Sequence, residues 1–76
     1  MDEVRVEWRD AITGELRRGA LSLYGGSIPV LVPDGQPVAI SAKGFTGVLR
    51  CRDERTQGVE AIISAAKDAG YRLADP

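Results

Sequence analysis

The sequence predicts an α+β fold, in which a small curled antiparallel sheet or an SH3-like barrel of about five strands is followed by one C-terminal helix. Two observations lead to this class. Along residues 4–52, segments of alternating apolar and polar residues are separated by turn residues roughly every 8–12 positions, which is typical of small antiparallel sheets. A single segment with a period of about 3.6 residues follows at 56–70. The 76 residues are predicted to form one domain, 1–76.

The first two strands carry the clearest alternation. In residues 4–9, valine or tryptophan alternates with arginine or glutamate, which predicts a strand with one buried and one charged face. A turn over 10–14 leads to a second strand at 15–24. The apolar parity of that strand shifts at Gly19, which predicts a β-bulge or a sharp bend.

Three further strands are predicted in the middle of the chain. At 28–32, an isoleucine and two valines are predicted to face the core, with prolines on the opposite face that confine the strand to an edge or a bulge. An Asp-Gly pair at 34–35 predicts a hairpin turn to a fourth strand at 38–42, and a fifth strand follows at 48–52. A short closing strand can follow the helix at 71–73.

The predicted helix has a narrow, alanine-rich apolar face that suits close packing on a sheet. Thr56 or Asp53 is predicted to cap its amino end, and Gly70 to end it in the left-handed conformation. Tyr71, one place further, is predicted to pack back on the last turn. The residues of the apolar face are Val59, Ile62, Ile63, Ala66 and Ala69.

Composition and charge exclude several classes of protein. The 10 basic and 11 acidic residues give a net charge of −1, which provides no general attraction to nucleic acid or to an anionic membrane. With no histidine and one cysteine, the chain can form neither an internal disulfide nor a zinc site of ordinary type, so no metal or other cofactor is expected. No apolar run approaches the ~20 residues of a membrane span. We therefore expect a cytoplasmic protein.

No set of side chains suggests catalysis. Cys51 shares the parity of Leu49 on its strand, which favours a small core residue over a reactive thiol. Asp53 and Glu54 are placed to stabilise a helix start, and no second acid or base accompanies them. The glycines of the 43–47 loop are predicted turn positions, because strands flank that loop. The sequence therefore predicts that the protein is not an enzyme.

Basic residues around the fifth strand form the candidate partner-binding site. Arg50 and Arg52 share one face of that strand, Lys43 lies in the loop before it, and Arg55 lies at the helix entry. With one arginine of the 17–18 pair, this set can contact phosphates or an acidic protein surface. The alternative left open is a solvated face, paired with nearby carboxylates. These carboxylates are Glu7, Glu15, Asp53 and Glu54.

Phe45 completes the candidate site. It stands between two glycines near the middle of the 43–47 loop. If its ring is exposed, it would anchor a partner. If its ring folds back, it would plug the open end of the barrel, and the sequence leaves both roles open.

The leading functional prediction is a small non-enzymatic module that binds a protein partner stoichiometrically, as an accessory, inhibitor or regulator protein. One alternative is a nucleic-acid-binding module that uses Arg50, Arg52 and Arg55, and another is a structural subunit of a larger assembly. A homodimer is a further option, because the proline-flanked strand at 28–32 can pair with a second strand at its edge.

Overall fold

The computed structural model describes residues 3–52 and 59–74 of the chain. It confirms the α+β class, because a four-stranded antiparallel sheet precedes one C-terminal helix in this part of the chain. The order of the strands in the sheet is β3-β2-β1-β4. The helix packs on one face, called the inner face here, and the opposite face is the outer face. The elements are β1 (Glu3–Arg9), β2 (Leu16–Tyr24), β3 (Ile28–Pro33), β4 (Arg50–Cys51) and α1 (Val59–Ala69).

The sheet of the described residues is open and has four strands, so neither the SH3-like barrel nor the count of five is confirmed. The predicted fourth strand is reduced to a single bridge between Ile40 and Leu31. Immediately after it, the Ser41 side chain accepts a hydrogen bond from the backbone N–H of Gly44 at 3.3 Å and caps a 3-10 turn over Ala42–Gly44. This local cap ends the extended segment before a ladder can form.

Gly19 causes no bulge, because the register of β1 against β2 is unbroken along the whole of β1. The glycine serves a close approach on the inner face instead. A Cβ at this position would lie 2.6 Å from the carbonyl oxygen of Val32 and 3.2 Å from Cη2 of Trp8. The indole and the neighbouring strand therefore occupy the space that a side chain would need.

In β3, the inward-facing and outward-facing residues are exchanged relative to the sequence prediction. Leu31 and Pro33 are buried on the inner face, and the isoleucine and both valines of the strand face outward. The pairing with β2 determines this choice, because Leu31 stands opposite the buried Leu21. Since β3 is apolar in both parities, its own sequence does not distinguish the two faces.

α1 packs on the inner face through the side that its period predicts. Its buried residues are Val59, Ile62, Ile63 and Ala66, whereas Ala69, in the final position of the helix, is exposed. The core that these residues complete has eleven members. They are Val4, Val6, Trp8, Leu21, Leu31, Leu49, Val59, Ile62, Ile63, Ala66 and Tyr71.

The end of α1 confirms the predicted glycine cap. Gly70 has a φ of +111°, its N–H donates to the Lys67 carbonyl at 3.1 Å, and the N–H of Tyr71 donates to the Ala66 carbonyl at 3.0 Å. This pair of bonds is the Schellman motif, and it turns Tyr71 into the core. The predicted amino-terminal caps, Thr56 and Asp53, lie outside the described residues.

Candidate functional site

The edge of β3 offers no free N–H group to a partner strand in the described part of the chain. Its edge-facing positions are Pro29, Leu31 and Pro33, and the prolines have no N–H. The Leu31 carbonyl accepts from the N–H of Ile40 at 2.7 Å, and the Leu31 N–H bonds to the Tyr71 hydroxyl. The homodimer predicted through this strand would therefore lack inter-strand donors at this edge.

The Tyr71 hydroxyl joins the β3 edge to the segment that follows it. The hydroxyl also donates to the carbonyl of Ile40. Burial raises the pKa of Tyr71, and the hydrogen bond from the Leu31 backbone acts in the opposite direction. The phenol is neutral near pH 7 even at the ordinary pKa of 10.0, so it can donate and accept at the same time.

The edge beside β4 is also partly covered. Leu49 pairs in parallel with Leu73. The N–H of Leu49 donates to the Arg72 carbonyl and the N–H of Ala74 donates to the Leu49 carbonyl, both at 2.8 Å. The closing strand predicted after the helix is thus present as a single bridge. Cys51 points to the inner face opposite Val6 and is half-buried against the core, as its parity predicts.

The outer face of the sheet is covered by no helix or strand in residues 3–52 and 59–74. At the β2–β3 end it carries an apolar strip, defined here as Tyr24, Ile28, Val30 and Val32. Tyr24 and Ile28 stand opposite each other in the register and are 73% and 57% exposed. The two valines are half-buried. Large apolar side chains that are exposed side by side mark interaction sites more often than isolated ones do.

Charged side chains on the outer face form a network of ion pairs, which reaches the apolar strip where Arg5 pairs with Asp34. A Glu7 carboxylate oxygen lies 3.9 Å from Nε of Arg18 and 3.8 Å from Nε of Arg52. Nη2 of Arg5 lies 2.6 Å from Oδ2 of Asp34. All these side chains are at least partly exposed, so each pair contributes little to stability. Together these side chains make this part of the outer face polar and accessible to solvent.

The outer face has an excess of positive charge, although the chain as a whole does not. Among the described residues, five arginines on this face stand against three carboxylates, a net of +2, whereas the whole chain carries −1. The other charged side chains of the described residues, four basic and four acidic, balance each other. The arginines are Arg5, Arg9, Arg18, Arg50 and Arg52, and the carboxylates are Glu3, Glu7 and Asp34.

The residues predicted from the sequence do not form one site. Arg50 and Arg52 lie together on the outer face, next to Glu7 in register or by contact. Lys43 lies in the exposed 3-10 turn, beside the carboxyl end of α1. Arg55 lies outside the described residues. Of the predicted set, the structure therefore brings Arg50 and Arg52 together.

Phe45 lies on the inner side of the sheet. Its ring centroid is 5.7 Å from that of Trp8, nearly perpendicular to it, and 6.0 Å from that of Tyr71. The ring is half-buried against the core. Of the two roles that the sequence left open, these contacts favour a plug at the end of the core over an exposed anchor.

Sequence reasoning missed the apolar strip of the outer face. The signal for Tyr24 was present, because it has the opposite parity to Leu21 on β2. The signal for Ile28 was hidden, because a β3 strand that is apolar in both parities can be read with either face inward.

A concave feature, called the hairpin cleft here, lies between the β1–β2 turn and the 44–47 loop and has a volume of about 250 Å³. Its lining mixes apolar side chains with polar and charged groups. The residues that matter for its chemistry are Trp8, Ile40, Phe45, Arg9, Asp10 and Arg17.

Asp10 organises the rim of the hairpin cleft. One carboxylate oxygen accepts from the N–H groups of Thr13 at 3.0 Å and Ile12 at 2.8 Å, and the other accepts from Nε of Arg17 at 2.9 Å. The backbone bond from Thr13, then that from Ile12 and the contacts with Arg17, lower the pKa of Asp10 to about 2. The carboxylate is thus ionised and fully engaged, which suits an anchor of the turn and not a general base.

Acid should weaken the fold partly through Asp10. Because its pKa is depressed in the folded state, its contribution is complete above the ordinary value of 3.8 and is lost as the pH falls from there toward about 2. Between pH 5 and pH 2, the urea concentration at the midpoint of unfolding should therefore fall less for Asp10→Asn than for the wild type. Asp68→Asn, an exposed helix change, is the matched control. Parallel curves for the wild type and Asp10→Asn would contradict this role.

Comparisons of the chain with protein-family models, with curated proteins and with solved structures find no match. Within the described residues, no group of three or more histidine, cysteine, aspartate or glutamate side chains could hold a metal ion. No helix in the same part of the chain is long and apolar enough to cross a membrane. The geometry defines a class by architecture, a two-layer α+β domain with one sheet face that no described helix or strand covers.

Proposed function

We propose that this chain is a small non-enzymatic protein-interaction module, which binds a protein partner stoichiometrically through the outer face of its sheet. The observation that carries the proposal is the exposed pair Tyr24 and Ile28 on a face that no described element covers. Aromatic and aliphatic anchors within a polar rim are the usual composition of a binding patch. The single cysteine, which leaves no internal disulfide, suits a reducing cytoplasmic compartment.

The charge of the outer face supports an acidic partner. Among the described residues of the outer face, arginines outnumber carboxylates, so a partner surface that combines an apolar area with an acidic area would be complementary. Such a partner would pair with guanidinium groups in the bidentate geometry that arginine favours. Arg50 and Arg52 lie at the β4 edge of the sheet, opposite the β3 edge that carries most of the strip, and belong to this positive area.

A protein partner is favoured over nucleic acid by two features. Glu7 stands between Arg18 and Arg52, where it would repel a phosphate backbone. The apolar strip contributes nothing to a contact with phosphates, and it would be left partly exposed beside them. Both features agree with an overall charge of −1.

The test is quantitative affinity capture with the full chain from a lysate of the native host, followed by titration of the purified captured protein. The double variant Tyr24→Ser/Ile28→Ser removes the anchors while leaving the core intact. We expect the titrated affinity to fall at least about tenfold in this variant. Ile12→Ser is the matched control, because Ile12 is 95% exposed in the β1–β2 turn and lies off the outer face. This control should bind like the wild type.

Two results would overturn the proposal. Equal affinity of the wild type and the double variant for the captured protein would exclude the apolar strip as the contact. Tight, salt-sensitive binding of DNA or RNA, lost in Arg50→Ala/Arg52→Ala, would establish the nucleic-acid alternative instead.

A further inference from the structure

We propose that the hairpin cleft binds a carboxylate that carries a compact apolar group. The cleft lies at the opposite end of the sheet from Tyr24 and Ile28 and shares Arg9 with the outer face, and the inference does not depend on the apolar strip. It rests on an aromatic pair in the lining and on an arginine whose Nη groups donate no hydrogen bond within the described part of the chain.

The apolar part of the cleft is built before any ligand arrives. Trp8 and Phe45 form an edge-to-face pair in its lining, together with Ile40 and Pro33. A Cβ added at Gly47 would lie 3.0 Å from Cζ of Phe45, so the backbone of the loop rests directly against this ring. A lining that is packed in this way needs little reordering when an apolar group enters.

Arg17 supplies the charged end of the site. Its Nε is bound to Asp10 at 2.9 Å, which fixes the plane of the guanidinium. Its two Nη groups donate no hydrogen bond within the described part of the chain, and the nearest carboxylate oxygen, on the mostly exposed Glu15, is 4.0 Å from Nη2. A guanidinium that is held at Nε by one carboxylate and is open at its Nη groups is suited to bidentate binding of a second carboxylate.

The charged groups and the size of the cleft further restrict the class of ligand that it can bind. Arg9 and Arg17 line the cleft with Asp10, whose oxygens already accept three hydrogen bonds, and Glu15, which does not line the cleft, lies 4.0 Å from Nη2 of Arg17. A volume of about 250 Å³ suits a group of roughly ten non-hydrogen atoms, smaller than a drug-sized ligand. Small arylalkyl carboxylates and the C-terminal residue of a peptide share this chemistry.

The experiment compares a carboxylate with its neutral amide on the wild-type chain. The fluorescence of Trp8, the only tryptophan and a lining residue, reports binding, and backbone amide shifts locate it. We expect 3-phenylpropionate to bind at least about tenfold tighter than 3-phenylpropanamide, and acetate to bind much more weakly than either. Equal binding of the acid and the amide, or shifts confined to other surfaces, would overturn the proposal.

A second pair of probes distinguishes the two sources of the ligand. The peptide Gly-Gly-Phe with a free carboxylate is compared with the same peptide amidated at its C-terminus. Tighter binding of the free peptide than of 3-phenylpropionate would assign the cleft to peptide C-termini, and the reverse order would assign it to small carboxylates.

Variants test the assigned donor. Arg17→Gln should remove most of the preference for acid over amide, whereas Arg17→Lys should retain part of it. Arg50→Gln, on the outer face, is the control and should keep the wild-type preference. Amide spectra of each variant establish that it is folded. Full retention of the acid preference in folded Arg17→Gln would contradict the proposed role.

Discussion

Ile63→Asp is expected to unfold the domain. Ile63 is 5% exposed on the face of α1 that packs against the sheet, in a core with no buried charged side chain among the described residues. The change removes apolar burial and leaves a carboxylate without a partner, and each effect costs several kcal/mol. Since a chain of this length is stable by roughly 4–11 kcal/mol, we expect no cooperative thermal transition by circular dichroism.

Ser64 provides the matched controls for this experiment. It is the next residue of the same helix and is exposed. Ser64→Ala should be nearly silent, and Ser64→Asp, which adds the same charge at the exposed position, should change stability by less than about 1 kcal/mol. A normal melting curve for Ile63→Asp would show that the buried face of α1 is wrongly assigned.

Gly19→Ala is expected to destabilise the protein by about 2 kcal/mol, although it adds a single methyl group. That methyl would lie 2.6 Å from the Val32 carbonyl oxygen and 3.1 Å from Cα of Pro33, and both are backbone atoms of the paired strand. Relief of the clash requires β3 to move away from β2, which strains the ladder between them. We expect a lower midpoint in urea and a Tm reduced by about 10 °C.

Gly44→Ala is the control for the same substitution. A Cβ at this position meets nothing closer than the Ser41 hydroxyl oxygen at 3.5 Å, and Gly44 does not have a positive φ. Its stability should therefore stay within about 0.5 kcal/mol of the wild type. If Gly19→Ala were equally silent, the close approach of β2, β3 and Trp8 could not be the reason for the glycine.

The two functional inferences engage different surfaces of one small scaffold. Arg50 and Arg52 belong to the outer face, and Arg17 belongs to the hairpin cleft. The outer face is proposed to bind a protein partner, because large apolar side chains are exposed on it beside charged residues. The cleft is proposed to bind a small carboxylate through the guanidinium of Arg17. Arg50→Gln and Arg17→Gln therefore separate the two activities experimentally.

The local sequence pattern correctly predicted those elements whose sequence signal lies within a few consecutive residues. The alternation of apolar and polar residues over 4–9 predicted β1, and the helical period over 59–66 predicted the buried face of α1. Gly70 gave the end of that helix, because the left-handed conformation that it adopts is accessible to few other residues. The parity of Cys51 and the common face of Arg50 and Arg52 followed in the same way.

The features that the local sequence pattern did not predict depend on contacts between residues that are distant in the chain. The sequence of β3 is apolar in both parities, so the face that Leu31 turns inward depended on its register with Leu21, which no local pattern contains. Gly19 looked like a bulge because the residues that exclude a side chain there, Val32 and Trp8, are distant in sequence. The separation of Phe45 from Arg50 likewise followed from the loop folding onto the inner side. The sequence by itself determined which segments become strand or helix and how each ends, since these depend on backbone preference and period. Only the tertiary structure decided which apolar residues remain outside, because burial is a property of the partner surface and not of the residue.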